Sequence, residues 1–470
     1  MKRLMWWRAC GALAATISLG GLLSAGPVLA GADDDTAANN IPPVLGTPPF
    51  SDNQTNASPT VGLRLMPPTG TQLIEDQLFD FRVETQVPST NASTPVLKSL
   101  TLNGVQMRDS FNSAVSSQGL GTESGTPSIP GLYGASVRNI TFEEPGTYIV
   151  QAVVAVDGVD YTITNTYPVT PFQLKNRVNH IVFFLGDAMG LPVRSAARIS
   201  AKGIFEGRAK GRLNMDLMDE YGLVSTSSFD SLITDSAPGM ANYVTGLKQA
   251  NNALNVSVDN TPENVLDNPR IETLWEYMKR RFNWATGIVA DAFITDATPA
   301  SEAAHSRARS ARTPIAQQYL DYYVDNTAQP LTGYNSLKAL TQPLDVILGG
   351  GARDFLPLGD PLLTNFYQLS DTQGRTDGVN LFNTAASLGY SVVKDKNELA
   401  AAPNSSPILG IFAGEFRPGN ALGADNIPGV LDRLVARGQA TIGGKTASDP
   451  ALGMNVAPPV GTGCGSTVQQ

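Results

Sequence analysis

Two cysteines and two histidines are all that 470 residues contain. Cys10 falls in a leader-like start, so Cys464 stands alone and an intramolecular disulfide framework is excluded. His180 and His305 are the only imidazoles, which limits any site that needs several histidine ligands. Past residue 30 there is no uninterrupted apolar run of about eighteen residues, so no later segment is expected to cross a bilayer. Positive charge is also scarce, with 33 Lys and Arg against 42 Asp and Glu and a net charge of −9. Phosphate backbones are bound by basic surfaces, so a nucleic-acid partner is not expected. No internal repeat is visible.

The start of the chain has its own logic. Lys2, Arg3 and Arg8 precede an apolar run from Ala9 to Leu23, and Val28-Leu29-Ala30 is a small-x-small cleavage pattern. Residues 1–30 read as a signal peptide, which implies a secreted or periplasmic protein. Its removal takes three positive charges and moves the net charge from −9 to −12. Residues 31–60, rich in Asp, Asn, Pro and Thr, read as a disordered linker.

The whole chain is 42% apolar, in keeping with a globular protein, and its 470 residues allow two or three domains. Over residues 61–170, "LFDFRVETQV", "LKSLTLNG", "TYIVQAVVAV" and "VDYTITNTYPV" alternate apolar and polar positions between Gly, Pro, Asn and Asp. That spacing predicts an immunoglobulin-like β-sandwich without its cysteine pair. From residue 178 the period changes. "HIVFFLG" (180–186) predicts a strand buried on both faces, and "IETLWEYMKRRF" (271–282) a helix. "WATGIVA" (284–290), "DVILGGG" (345–351) and "PILGIFA" (407–413) predict strands, and "LFNTAASLGYSVV" (381–393) a helix then a strand. Strands alternating with helices indicate an α/β fold with a mostly parallel sheet flanked by helices, over residues 178–470.

Functional groups of such sheets lie beyond the carboxyl ends of strands, and three clusters stand there. In "FFLGDAMG", Asp187 either caps a following helix or holds a metal ion. In "LITDSAPGMANYVTG", Asp235 or Ser236 suits an N-cap, Pro238 the first turn and Gly246 the stop. Free N–H groups at that helix start favour an anion, so Ser236 is a simple cap or a hydroxyl facing a phosphoryl group. In "DAFITDATPASEAAHSRAR", Asp296 and Thr298 are hard oxygen donors of the kind Mg²⁺ prefers. Pro299 opens a helix there, and Arg307 or Arg309 offers a fork for two phosphate oxygens. The plainer alternative for this cluster is a capped helix with a solvated basic end.

Together "GDAMG", "TDSAPGMANYVTG", "TDATPASEAAHSRAR" and "DVILGGG" resemble, in order and approximate spacing, the motifs of the alkaline phosphatase family over residues 178–415. The resemblance does not extend to residues 31–170. It implies a metal-dependent phosphomonoesterase acting on small phosphomonoesters, with two Zn²⁺ and one Mg²⁺, and is compatible with a homodimer. Carried over, Ser236 is the nucleophile that becomes phosphorylated, Asp235 orients the arginine and Arg309 clamps the phosphate. Asp187 bridges a Zn²⁺ and the Mg²⁺, and Asp296 and Thr298 serve the Mg²⁺. His305 falls on a family histidine that is not a ligand, and His180 matches none.

Two departures stand out. Ala188 replaces a glycine, and the Asp-x-x-x-His and Asp-His segments that supply zinc ligands are missing. The sequence therefore reads as the first part of a longer protein, expected alone to be nearly inactive, to hold no zinc pair and to expose an apolar edge. A related phosphodiesterase, or a non-catalytic secreted binding protein working through residues 61–170, are the other readings. A sulfatase is disfavoured, because no Cys- or Ser-x-Pro-x-Arg string occurs.

Overall fold

The computed structural model describes residues 54–55, 61–88, 94–107, 121–122, 131–174, 178–257, 265–266, 268–320 and 342–414. The expected leader, nearly all of the expected linker and Cys464 lie outside the described residues.

Ten strands come first: β1 (Gln54–Thr55), β2 (Gly62–Met66), β3 (Leu73–Ile74), β4 (Phe79–Gln86), β5 (Val96–Leu102), β6 (Val105–Gln106), β7 (Gly121–Thr122), β8 (Leu132–Ile140), β9 (Gly146–Val156) and β10 (Val159–Thr170). One sheet runs β1-β10-β9-β5-β6 with β3 beside β10, and the other runs β2-β4-β8-β7. Except for the parallel β3–β10 pair, the pairings are antiparallel. β1 falls within the stretch read as linker, where Gln54 and Thr55 pair with Ile163 and Thr162.

Local chemistry sets the hairpins. Asp157-Gly158 and Asn103-Gly104 all take positive φ, which a tight two-residue turn between twisted strands requires. The period-two pattern of β9 buries Val150, Ala152, Val154 and Val156. These pack with Leu63, Phe81 and Val83 of the second sheet in one core. β4 departs from a half-solvated pattern, because Asp80, Arg82 and Glu84 on its other face are buried as well.

That second face meets the rest of the chain. Phe79 bridges to Ile271, Asp80 N–H donates to Arg270 O at 2.9 Å and Glu272 N–H to Leu78 O at 2.9 Å. The Asp80 carboxylate lies 2.8 Å from Arg270 Nε and 2.9 Å from Arg138 Nη1. Ile271 and Leu247 belong to the same apolar cluster as the sheets.

The second half contains α1 (Leu191–Lys202), the hairpin β11 (Ile204–Phe205) and β12 (Arg208–Ala209), α2 (Ser236–Thr245), α3 (Leu274–Phe282), β13 (Gly287–Phe293), α4 (Ala297–Ala303) and α5 (Arg312–Tyr319). Then come β14 (Val346–Gly350), α6 (Pro361–Asn365), α7 (Leu381–Ser387), β15 (Ser391–Val393), α8 (Lys396–Ala401) and β16 (Ile408–Ala413). The sheet order is β13-β14-β16-β15, with each pair parallel. α3 opens on a Thr273–Glu276 capping box, ends at Asn283 in the left-handed region and carries Lys279, Arg280 and Arg281 in its last turn.

Three expectations are corrected. His180–Gly186 is not a strand: nothing among the described residues pairs with it, and Ile181, Val182, Phe183, Phe184 and Leu185 are exposed. An apolar run becomes an inner strand only when neighbours satisfy its backbone on both sides. Asp187 does not cap a helix, since α1 starts four residues later behind Gly190 with Pro192 in its first turn. The strand read at 284–290 is displaced to 287–293. Thr286 N–H is taken by the Asp345 carboxylate at 2.8 Å, ahead of the ladder that starts at Gly287.

Candidate active site

The site assembles at two helix starts. Asp235 is the N-cap of α2, accepting from Ala237 N–H at 3.4 Å, and the helix stops at Gly246 with φ 73°. Ser236 is thus the first helical residue, beside N–H groups with no partner inside the helix. Asp296 is the N-cap residue of α4, but its carboxylate makes no capping bond. It turns instead to Arg309, whose Nη2 donates to Oδ1 at 2.8 Å. Ala237 of α2 and Ala297 and Ala300 of α4 share one buried cluster, and Ser301 Oγ donates to Ala237 O at 2.9 Å.

The turn before α4 is held by the glycine run of β14. Ile294 N–H donates to Gly350 O at 3.1 Å, and a Cβ on Gly349 would sit 2.9 Å from the Ile294 side chain. Tyr319 Oη donates to Ile294 O at 2.6 Å, and Thr295 Oγ1 donates to the buried Asp354 carboxylate.

Arg309 is the hub. Nη1 donates to Asp235 Oδ2 at 3.0 Å and to Ser236 Oγ at 3.1 Å. Burial disfavours its charge, but the carboxylates of Asp296 and Asp235 more than compensate and raise its pKa. Asp235 is held from behind by Asn252 N–H, 3.0 Å from Oδ1. Thr298 Oγ1 donates to Asp187 Oδ2 at 3.3 Å. The structure thus brings Asp235, Ser236, Asp296 and Arg309 into direct contact and pairs Thr298 with Asp187.

Arg307 is not a solvated cation, being only 1% exposed, so the alternative of a solvated basic helix end is overturned. His305 is buried, with its ring engaged by Glu276 and Asn255, whereas His180 is exposed in the unpaired segment. Half-buried Glu302, one turn beyond Thr298, has its carboxyl pushed up to about 8 by burial. Asn252, Asn255, Glu276 and Glu302 were missed from sequence. The usable signal was the asparagine-rich "NNALN", because Asn252 and Asn255 both take positive φ, which asparagine tolerates.

For a metal, the donors divide by type. Asp187, Thr298 and the neighbouring Asp296 supply hard oxygens, and Mg²⁺ accepts one or two carboxylates while keeping several waters. A zinc centre takes three protein ligands, and among the described residues no group of three His, Cys, Asp or Glu is placed to hold a metal. The described residues thus offer oxygen donors of the kind magnesium takes and no zinc set.

Among known proteins, the sequence profile described as alkaline phosphatase matches residues 178–429. The chain is 33% identical over 254 residues to the streptomycin-6-phosphate phosphatase of Streptomyces griseus, covering 53% of this chain and 51% of that protein. It is 31% identical over 255 residues to alkaline phosphatase H of Pseudomonas aeruginosa, covering 52% and 47%. The crystal structure of Thermus thermophilus alkaline phosphatase is 25% identical, covers 52% of this chain and 42% of that one, and superposes with a TM-score of 0.35, too low to argue from. The chain spans about half the length of the curated relatives it matches. With the family profile matched over residues 178–429, more than half of the 470 residues, the chain belongs to the alkaline phosphatase family.

Proposed function

We propose that this site takes the phosphoryl group of small phosphate monoesters and transfers it to Ser236. One observation carries the reading: a single guanidinium, held by Asp235 and Asp296, donates to the hydroxyl of a serine at a helix start. Arg309 and the first N–H groups of α2 bind the non-bridging oxygens and spread their charge. The same guanidinium stabilises the Ser236 alkoxide. The Ser236 hydroxyl gives its proton to water as Oγ forms a bond to phosphorus, and the ester oxygen leaves and takes a proton from water. Water then attacks the phosphoserine, restoring the hydroxyl and releasing inorganic phosphate. Asp235 and Asp296 keep the arginine aimed throughout.

Mg²⁺ held by Asp187 and Thr298, with Asp296 adjacent, would supply positive charge against the phosphate. The family resemblance supports two Zn²⁺ in addition, but the described donors do not fit them. We also read residues 61–170 as an immunoglobulin-like sandwich, residues 178–470 as the N-terminal part of the catalytic domain and residues 1–30 as an export signal. Among the described residues no helix is long and apolar enough to cross a membrane.

The test is acid quenching of the full chain, supplied with Mg²⁺, Zn²⁺ and a chromogenic phosphomonoester, followed by peptide mass spectrometry. Phosphate is expected on Ser236 and missing from a folded Ser236→Ala variant. No label on the unmodified chain, label elsewhere, or undiminished turnover in Ser236→Ala overturns the proposal.

A further inference from the structure

His305 touches none of the groups around Ser236, yet the segment that delivers Arg309 begins at it. The ring is 1% exposed. Nδ1 lies 3.0 Å from the Asn255 carbonyl, and Nε2 lies 3.0 and 3.1 Å from the two Glu276 carboxylate oxygens. A carbonyl only accepts, so Nδ1 carries a proton. The backbone is gripped too: His305 N–H donates to Gln318 Oε1 at 2.7 Å, and Gln318 Nε2 donates to His305 O at 3.1 Å. Asn255 Nδ2 donates to Ser301 O and Ala304 O, at 2.6 and 2.8 Å, closing the end of α4.

From this knot two segments run side by side toward the site. Leu254 and Ser306 exchange N–H donors, at 2.9 and 3.0 Å, and Arg309 N–H donates to Asn252 O at 2.8 Å. Asn252 N–H in turn donates to Asp235 Oδ1 at 3.0 Å. The ladder that starts at His305 therefore ends at the two groups flanking Ser236. A space-filling role alone would suit a hydrocarbon better, because burying a polar ring against a carboxylate carries a desolvation cost.

We propose that His305 is a positioning residue. By tying Asn255 to Glu276 of α3, it sets the register of residues 252–255 against 305–309 and so fixes where Arg309 and Asp235 meet Ser236. The inference rests on the phosphate-binding reading only for its functional readout.

Three variants of the full chain separate the two ring contacts. His305→Asn puts an amide nitrogen where Nδ1 stands and keeps the Asn255 bond. His305→Gln puts one where Nε2 stands and keeps Glu276. His305→Phe keeps the volume and loses both. Two quantities are measured: hydrogen exchange at the Leu254, Ser306 and Arg309 amides, and inorganic phosphate affinity by calorimetry, with Arg309→Ala as reference. His305→Phe should lose protection at those amides, keep it in β9 and β10, and bind phosphate about tenfold more weakly or worse. The Asn and Gln variants should fall between Phe and wild type, a partial rescue that volume alone does not give. A folded His305→Phe variant with full protection and affinity within about twofold of wild type overturns the proposal. If His305→Phe does not fold, unchanged protection and affinity in both amide variants overturns it. Wild-type protein that binds no phosphate refutes the reading of the site, and the exchange data alone then decide the role of His305.

Discussion

Replacing Asp80 with asparagine should cost this protein a large share of its stability. The carboxylate is fully buried and receives five donors. Arg270 supplies Nε at 2.8 Å, Nη2 at 3.3 Å and its backbone N–H at 3.0 Å. Arg138 supplies Nη1 at 2.9 Å, and Asn139 its backbone N–H at 2.9 Å. Asparagine keeps one accepting oxygen and turns an NH₂ toward groups that can only donate. The Arg270 side chain, itself 0% exposed, keeps its charge without its counter-ion. Breaking one side of such a buried pair costs about 3–5 kcal/mol, against a typical total of about 5–15 kcal/mol. The pH dependence follows from the same contacts. Burial alone would raise the Asp80 pKa, but the charges of Arg270 and Arg138 and their hydrogen bonds outweigh it and hold it well below the ordinary 3.8. A depressed folded-state pKa gives stability that is present above the unfolded value and is lost as pH falls below it. Urea melts of the full chain should show a gap between wild type and Asp80→Asn that is widest near neutral pH and narrows below about pH 4. A gap under about 1 kcal/mol at neutral pH, or one that does not narrow in acid, refutes the reasoning.

Other outcomes are equally specific. Arg309→Ala should weaken inorganic phosphate binding by about tenfold or more, measured by calorimetry; unchanged affinity contradicts its role. Arg307→Ala should act on folding instead, lowering the melting temperature, because that side chain is 1% exposed. Ala188 sits at φ 52°. The left-handed penalty of about 1–2 kcal/mol exceeds the entropy lost by introducing glycine, about 0.4–1 kcal/mol, so Ala188→Gly should raise the melting temperature. A lowered one would show that the strain argument fails. Glu302 is raised by burial from 4.5 to about 8. Its neutral form is favoured on folding, so the associated stability is complete below about 4.5 and lost as pH rises through about 8. Glu302→Gln should therefore melt higher than wild type above that range and almost alike in acid; equal melting at alkaline pH would count against the burial argument.

Short-range chemistry was legible in the sequence, and long-range compensation was not. The Asn-Gly turn and the stop at Gly246 could be placed from residue type, the cap was narrowed to Asp235 or Ser236, and the magnesium roles of Asp187 and Thr298 came only from the family resemblance. The charged residues of β4 could not be placed this way. Asp80, Arg82 and Glu84 alternate as a solvated strand face does, and Asp80 is buried because Arg138 and Arg270, the latter brought from 190 residues away, both reach it. Residues 180–186 failed for the converse reason: their composition suits an inner strand, but strand formation needs neighbours that no local pattern reports. Residue type left Arg307 and Arg309 open, the family resemblance chose Arg309, and the physical reason it reaches Ser236 is the ladder to Asn252, a pairing of distant segments.

The span of that Asp80–Arg270 contact also orders events during synthesis. The chain emerges from its amino end, so β4 and its hairpin neighbours exist long before Arg270, 190 residues downstream, is made. Until then Asp80 has Arg138 and the Asn139 N–H as donors but not Arg270, and Glu84 has Arg82 and Arg64, so the face is paired but not covered. Closing so long a loop adds little to the equilibrium cost, which grows with the logarithm of length, but it slows the step that must wait for the contact. The nascent protein thus carries a charged face that lacks its cover, and the arrival of Arg270 with the segment leading into α3 turns that face into an interior.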